Sequence, residues 1–466
     1  MIFFSQQQLQ RSLKTLSSLS QRLGLQRLDS QKLVPKRLEG LRTFKIRTVG
    51  VGLAIASSVV LSSCNSQSSE SAENTVTILG VIVGDQQEKL EQALAPFEEE
   101  TGIDVVYEGT DAFATLLPVR VESGDAPDLA MFPQPGLMAD FAKEGNLIPL
   151  TSFIEPATLQ AAYPDTWLTL GQVEGEPYAI WYRASVKSLV WYSPAAFEAG
   201  SYEIPTTWEA LMALSDQIVA DGATPWCIGL ESGDATGWPG TDWIEDIMLR
   251  TAGPDIYDQW ITHELAFNAP EVVNAFDEFG KVLQNPEYVS GGAVGALSTP
   301  FGDSPQGLFN DPPSCYLHRQ ANFIQTFLGE EQAPGTDYDV FALPPIDESI
   351  GNPILVAGDA FAMFNDTPEA RALMAYLATP TPHEIWAGLG GFISPHKAVP
   401  PSAYPDPVSQ KIAQILADAE AIRFDASDMM PGSVGTGTFW SGVVDFAVGE
   451  SSESVTESIE ASWPEE

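Results

Sequence analysis

The chain is short of positive charge. Of its 466 residues only 22 are Lys or Arg, against 63 Asp or Glu. Ten of the 22 lie at or before Arg47, so from Cys64 onward 12 basic residues face 61 acidic ones. That balance excludes nucleic acid and anionic membrane surfaces as partners, because both need a basic patch. Repulsion keeps such a surface soluble. Salt screens it within about 8–10 Å, so the composition suits a saline surrounding. Histidine is also scarce, and His263, His318, His383 and His396 show no metal-ligand spacing. No metal or other cofactor is expected. No G-x-S-x-G marks a serine hydrolase, and no solenoid period appears. There are three cysteines. Past Leu61 no run is apolar enough to cross a membrane, which takes about 20 residues.

What is present begins with a leader. "RTFKIR" (Arg42–Arg47) precedes thirteen uncharged residues, "VGVGLAIASSVVL" (Val49–Leu61). A basic flank, a short apolar run and small residues before a cut describe an export signal. Residues 1–63 are therefore set aside from the fold. The cut site, Leu61-Ser62-Ser63-Cys64, resembles the lipobox of bacterial lipoproteins. The resemblance implies diacylation of the Cys64 thiol and cleavage before it. Two or three acyl chains anchor a protein stably where one does not. Residues 64–74, rich in Ser and poor in apolar side chains, read as a lipidated flexible tether. Cys227 and Cys315 remain, and two cysteines in an exported chain predict one disulfide between them.

About 390 residues follow the tether, more than the roughly 250–300 at which a single core stops growing, so two lobes are expected. "NTVTILGVIVGDQQEKLEQALAPFEEETGIDVVYEG" reads as strand, helix, strand. Asp85 is placed as the helix cap, with Leu90, Leu94 and Phe97 as the apolar face. This is a βαβ unit, whose parallel sheet opens a cleft at the strand ends. "APDLAMF" (126–132) is a third strand before the turn "PQPG". "EPYAIWYRASVKSLVWYSPAAFEAG" holds two strand-like pieces with little turn chemistry between them, which suits a passage from one lobe to another. "PTTWEALMALSDQIVADG" is a helix starting near Thr207. "GNPILVAGDAFAMF" reads as strand, Asp359, strand.

"FEEETGIDV", "SGDAPDLAMF", "YRASVKSLVWYSPAAF", "PTTWEAL" and "GGFISPHKAV", in this order, resemble the family 1 extracellular solute-binding proteins of ATP-driven (ABC) importers. "GWPGTDWIEDIMLRTAGPDIYDQW" and "CYLHRQANFI" are similar to its alpha-glucoside branch, which takes trehalose, sucrose, maltose-type sugars or glucosylglycerol. The resemblance implies an α/β, two-lobed periplasmic-binding-protein fold of type II, with a hinge crossed about three times. One lobe would hold 75–185 and 357–392, the other 190–353 and 397–466. It also implies a monomer without enzymatic activity, exported and lipid-anchored at the cell membrane, that delivers a small sugar or sugar-derived osmolyte to permease subunits. A secreted glycoside-acting enzyme, using paired carboxylates, and an adhesion or scaffold lipoprotein remain as alternatives.

A sugar carries hydroxyls on its rim and C–H groups on its faces. Carboxylates, amides and Arg suit the first, aromatic rings the second. All eleven tryptophans follow the leader. Expected ligand contacts are Asp85 and Gln86 at a strand-to-helix turn, Asp111 after a strand, and Gln134 between two prolines. Trp181 lies at the first crossing and Asp359 at the return. Trp238 and Asp242 stand in the Gly/Pro loop "GWPGTDW", Arg319 in "CYLHRQ", and Phe392 and Trp440 in Gly-rich loops. Structural roles stay open beside these: a cap for Asp85, a turn for Asp111, burial for Trp181, a salt bridge for Arg319.

The leader generates the first test. Intact-mass analysis of the exported chain should show acyl groups on Cys64, and Cys64→Ser should leave an unprocessed precursor. A wild-type mature chain without acyl mass would contradict the lipobox reading.

Overall fold

The computed structural model describes residues 74–329 and 331–464. The leader, the tether and Cys64 lie outside the described residues.

Strand β1 (Thr75–Gly80) buries Val76, Ile78 and Leu79, and pairs in parallel with β2 (Asp104–Gly109) and β3 (Leu129–Phe132). Helix α1 (Asp85–Thr101) joins β1 to β2 and lays Leu90, Leu94 and Phe97 on the sheet. Its cap corrects the expectation. Gly84 is the N-cap, with φ 60°, while Asp85 is the first helical residue and pairs with Lys89 at 2.8 Å. Gly102 ends the helix with φ 68°, a left-handed conformation glycine adopts without strain. Helix α2 (Phe113–Ser123) follows β2, and α3 (Pro135–Lys143) follows β3.

Strand β4 (Ala179–Val186) is buried at every position, as is β5 (Leu189–Tyr192). Only Lys187 and Ser188 separate them, yet they belong to different sheets. Helix α4 (Trp208–Ala220) is capped by the Thr207 hydroxyl, which accepts from the Ala210 N–H at 3.2 Å. Helix α5 (Trp238–Thr251) is buried from Pro239 to Arg250. Strand β5 is the centre of a three-stranded antiparallel sheet between β6 (Leu317–Arg319) and β7 (Asp339–Ala342). Strand β8 (Ile354–Met363) is one continuous strand, not two pieces around Asp359. It pairs antiparallel with β4 along one edge, and on the other antiparallel with β3 and in parallel with β9 (Ile422–Phe424), completing a six-stranded sheet.

Two apolar clusters result. One surrounds the six-stranded sheet and α1; the other gathers Trp226, Trp243, Ile247, Trp260 and Phe276 around α5. Burying each such side chain stabilises by roughly 1.5–3 kcal/mol relative to exposure. Three stretches run side by side where the sheets meet. The Lys187 N–H donates to the Leu355 carbonyl at 2.8 Å, and the Ala184 N–H to the Ile393 carbonyl at 2.8 Å. Among the described residues no helix is long and apolar enough to cross a membrane.

Cys227 and Cys315 form the expected disulfide, closing a separation of 88 residues. It ties the start of β6 to the segment after α4. On the loop-entropy argument, Cys227→Ser/Cys315→Ser should lose about 2–5 kcal/mol in urea unfolding. Unchanged stability would show that the bond restrains nothing that matters to folding.

Candidate functional site

The period-2 alternation of a strand puts Arg183, Ser185 and Lys187 on one face at the end of β4. All three line a cavity of about 220 Å³. The passage from β1 into α1 contributes Ile82 and Gln86, that from β2 into α2 Asp111 and Phe113, and the N-cap of α3 Gln134. Asp359 enters from β8. The facing wall is aromatic and acidic: Trp238, Phe301, Phe323, Phe327 and Trp440, with Asp425 and Asp428.

Two buried cations organise the floor. Arg183 Nε donates to Asp359 at 2.5 Å, and Nη1 donates to the Gln86 side-chain carbonyl. Gln86 Nε2 in turn reaches the Thr326 hydroxyl at 3.0 Å, on the aromatic wall. Lys187 Nζ donates to Asp242 at 2.7 Å and to Asp425, and lies 5.4 Å from the Trp238 ring centroid. An ammonium has three donors, so one remains on a group that lines the cavity.

Behind the floor runs a charged stripe on α5. Asp242, Glu245, Asp246 and Arg250 are each at most 1% exposed. Arg250 and Arg319 both pair with Asp246, Arg319 at 2.8 Å, and Ser188 donates to Asp246 at 2.9 Å. Burial alone would raise Asp425, but Lys187 and the hydrogen bonds on its oxygens hold it down at about 2. Burial, then the neighbouring Asp425 and Asp242, push Glu245 well above the usual carboxylate range. Burial and Asp425 do the same to Asp428. His318 and His383, lowered to about 4 and about 3 by burial, stay neutral. Among the described residues the carboxylates of Asp242, Glu245 and Asp425 are the one group close enough to share an ion. The Lys187 ammonium already touches two of them.

Several polar atoms on the cavity wall have no partner. They are Gln134 Oε1, Asp359 Oδ1 and Trp440 Nε1. A buried polar group left unpaired costs about 1–3 kcal/mol. The cavity therefore offers acceptors and donors to a hydroxyl-bearing guest and aromatic faces to its C–H surface.

Six expected contacts meet in this cavity: Gln86, Asp111, Gln134, Trp238, Asp359 and Trp440. Five stand elsewhere. Asp85 is exposed and paired with Lys89. Trp181 packs on Trp167 and Phe424, each at 5.1 Å. A bulge opposite the Asp359–Ala360 step adds Tyr182 to β4, which breaks the alternation that would align Trp181 with Arg183. Asp242 and Arg319 form ion pairs behind the floor. Phe392 stacks on Trp386 at 4.9 Å, inside the core. Trp238 and Trp440 lie in helical segments, not in loops. Sequence reasoning passed over Arg183, Lys187, Asp425, Asp428 and four phenylalanines, Phe113, Phe301, Phe323 and Phe327. Arg183 and Lys187 carried a signal: two cations four apart, one within and one just past a mostly apolar strand. "FDASDMM" carried only a helix cap.

Residues 84–384 match the model of the bacterial extracellular solute-binding protein family. The chain belongs to this family. The osmoprotective compounds-binding protein GgtB of Synechocystis sp. is 60% identical over 91% of this chain and 100% of its own length. The alpha-glucosides-binding periplasmic protein AglE of Rhizobium meliloti is 43% identical over 84% of this chain and 87% of its own. Among solved structures, the bacterial solute receptor AcbH superposes with a TM-score of 0.73 at 18% identity, covering 84% of this chain and 98% of that one. Maltose-bound MalE3 of T. maritima gives 0.67 at 17%, covering 83% and 98%. The fold is thus that of a type II solute-binding protein, and family members bind rather than transform their solutes.

Glu245 supplies a pH test. Its folded-state pKa is raised, so the folded chain holds a proton that the unfolded chain releases above about pH 4.3. Stability from this group therefore falls as pH rises, by at most about 1.4 kcal/mol per unit. Glu245→Gln keeps the shape and the neutral charge. Urea unfolding between pH 5 and 8 should show a flatter decline in the variant; a parallel decline would place the retained proton elsewhere.

Proposed function

We propose that the chain is the carbohydrate receptor of an ABC importer, capturing a small neutral glucoside between two lobes and presenting it to the permease. The observation that carries this reading is the set of unpartnered polar atoms on the wall of an aromatic-lined cavity. Trehalose, sucrose, maltose-type sugars and glucosylglycerol all supply hydroxyls for those atoms and a C–H face for Trp238. The names of GgtB and AglE support the same solute class. Lobes built from 75–185 with 357–392 and from 190–353 with 397–466 would hinge beside Lys187, Gly358 and Ile393. The receptor would act as a monomer, anchored through Cys64 on the outer side of the cell membrane. A ligand that touches Asp359 and Trp238 together makes both sets of contacts only when the lobes are closed, so its binding energy drives closure.

A thermal-shift panel of these solutes on the chain from Ser66 onward tests the proposal. A true ligand at 100 times its dissociation constant should stabilise by about 2.7 kcal/mol, and should be recovered unchanged after long incubation. Asp359→Ala should weaken it about ten- to a hundredfold, since a hydrogen bond to a charged group contributes roughly 1.5–3 kcal/mol. No stabilisation by any of the solutes, or release of glucose in proportion to protein, would defeat the receptor reading.

A further inference from the structure

Asp425 and Asp428 stand three residues apart on the cavity wall, but only one of them is compensated. Asp425 caps the short helix Ala426–Met429, accepts from the Ser427 hydroxyl at 2.8 Å and from the Asp428 N–H at 3.1 Å, and pairs with Lys187. Asp428 is 8% exposed and lines the same cavity. Among the described residues no hydrogen bond or ion pair reaches its carboxyl group. The charged groups facing it are Asp425 on its own helix, Lys187 in the crossing, Asp242 on α5 and Asp359 on β8. Lys187 is committed to Asp242 and Asp425. Asp359 is held by Arg183. A carboxyl group buried among other acids, without a partner, weakens the empty fold. It has no structural task to offset that cost.

We propose that Asp428 is a specificity-determining residue of the cleft: it takes a hydroxyl of the bound glucoside and rejects the analogue that carries a carboxylate there. The proposal rests on the receptor reading. A hydroxyl donates to a carboxyl oxygen whether or not that carboxyl group is ionised. A ligand carboxylate placed there would bring one more negative charge to a wall where Lys187 is already claimed by Asp242 and Asp425 and Arg183 by Asp359, so among the described residues no unclaimed cation faces it. Discrimination against the anion follows from leaving charges unpaired, which separates ligands more sharply than shape does.

The test uses the chain from Ser66 onward and isothermal titration with two probes. One is glucosylglycerol; the other is the same glucoside with a carboxylate in place of a terminal hydroxymethyl group. Wild type should bind the neutral probe and prefer it at least tenfold over the anion. Asp428→Ala should lose about ten- to a hundredfold in affinity for the neutral probe. Asp428→Asn keeps a hydrogen-bonding group and adds an amide N–H that can donate to an anion without titrating; it should retain more of that affinity and narrow the preference. In both variants the melting temperature without ligand should hold or rise, because an uncompensated acid has been removed. A residue held only for structure would instead lower it. Unchanged neutral affinity in Asp428→Ala, equal wild-type binding of the two probes, or a collapsed ligand-free melting temperature with affinity intact would each overturn the assignment. A wild-type chain that binds no neutral glucoside would overturn the receptor reading itself, and this assignment with it.

Discussion

Everything at the centre of this molecule depends on one buried ammonium. Lys187 sits in the two-residue link between β4 and β5, where the chain leaves one sheet for the other. It pairs with Asp242 on α5 and with Asp425 beyond β9. Each buried ion costs several kcal/mol in lost hydration, which is recovered only with good geometry and further hydrogen bonds. Removing the lysine would leave two acids uncompensated, so the link, α5 and the Asp425 turn must keep one arrangement together. The second layer, Ser188 to Asp246 to Arg250 and Arg319, extends that requirement to β6.

The same device leaves the cavity selectively unsatisfied. Arg183 and Lys187 neutralise Asp359 and Asp425, yet Asp359 keeps one free oxygen, and Gln134 and Trp440 keep a free atom each. Such atoms are costly in the empty protein and useful only to a guest that can pair with them. A neutral polyhydroxylated solute does so without adding charge to an acid-rich enclosure. The aromatic wall supplies the remaining contact area, with Trp238 edge-on to Phe301 at 5.1 Å and therefore held in place before a ligand arrives.

The acidic exterior and the disulfide answer to location, not to the site. An excess of carboxylates is tolerable where salt screens it. A disulfide persists where the surroundings are oxidising. Neither constrains which solute is held, and members of one solute-binding fold differ in that respect through a few side chains.

Local sequence determined the elements. The hydrophobic runs of β1, β3 and β4, the Gly102 stop and the Thr207 cap are short-range signals, and each formed where its chemistry called for it. The cysteine count determined the disulfide, and the order of motifs determined the two-lobed fold. At the site, Gln86, Asp111 and Gln134 were legible because the segments that follow strand ends border a cleft in an α/β fold, whereas Trp238 and Trp440 reach the cavity from helix starts and Asp359 from inside a strand, not from the loops and strand break expected for them. Tertiary structure alone decided the rest. A bulge opposite Asp359, created by pairing with a strand almost 180 residues away, turned Trp181 into the core. Asp242 and Arg319 were drawn behind the floor because ions buried together must pair. Asp428 reached the cavity because the chain returns there after β9, and nothing within "FDASDMM" records which distant cation Asp425 would claim. Pair partners are set by where strands and helices meet, and that is a property of the whole fold.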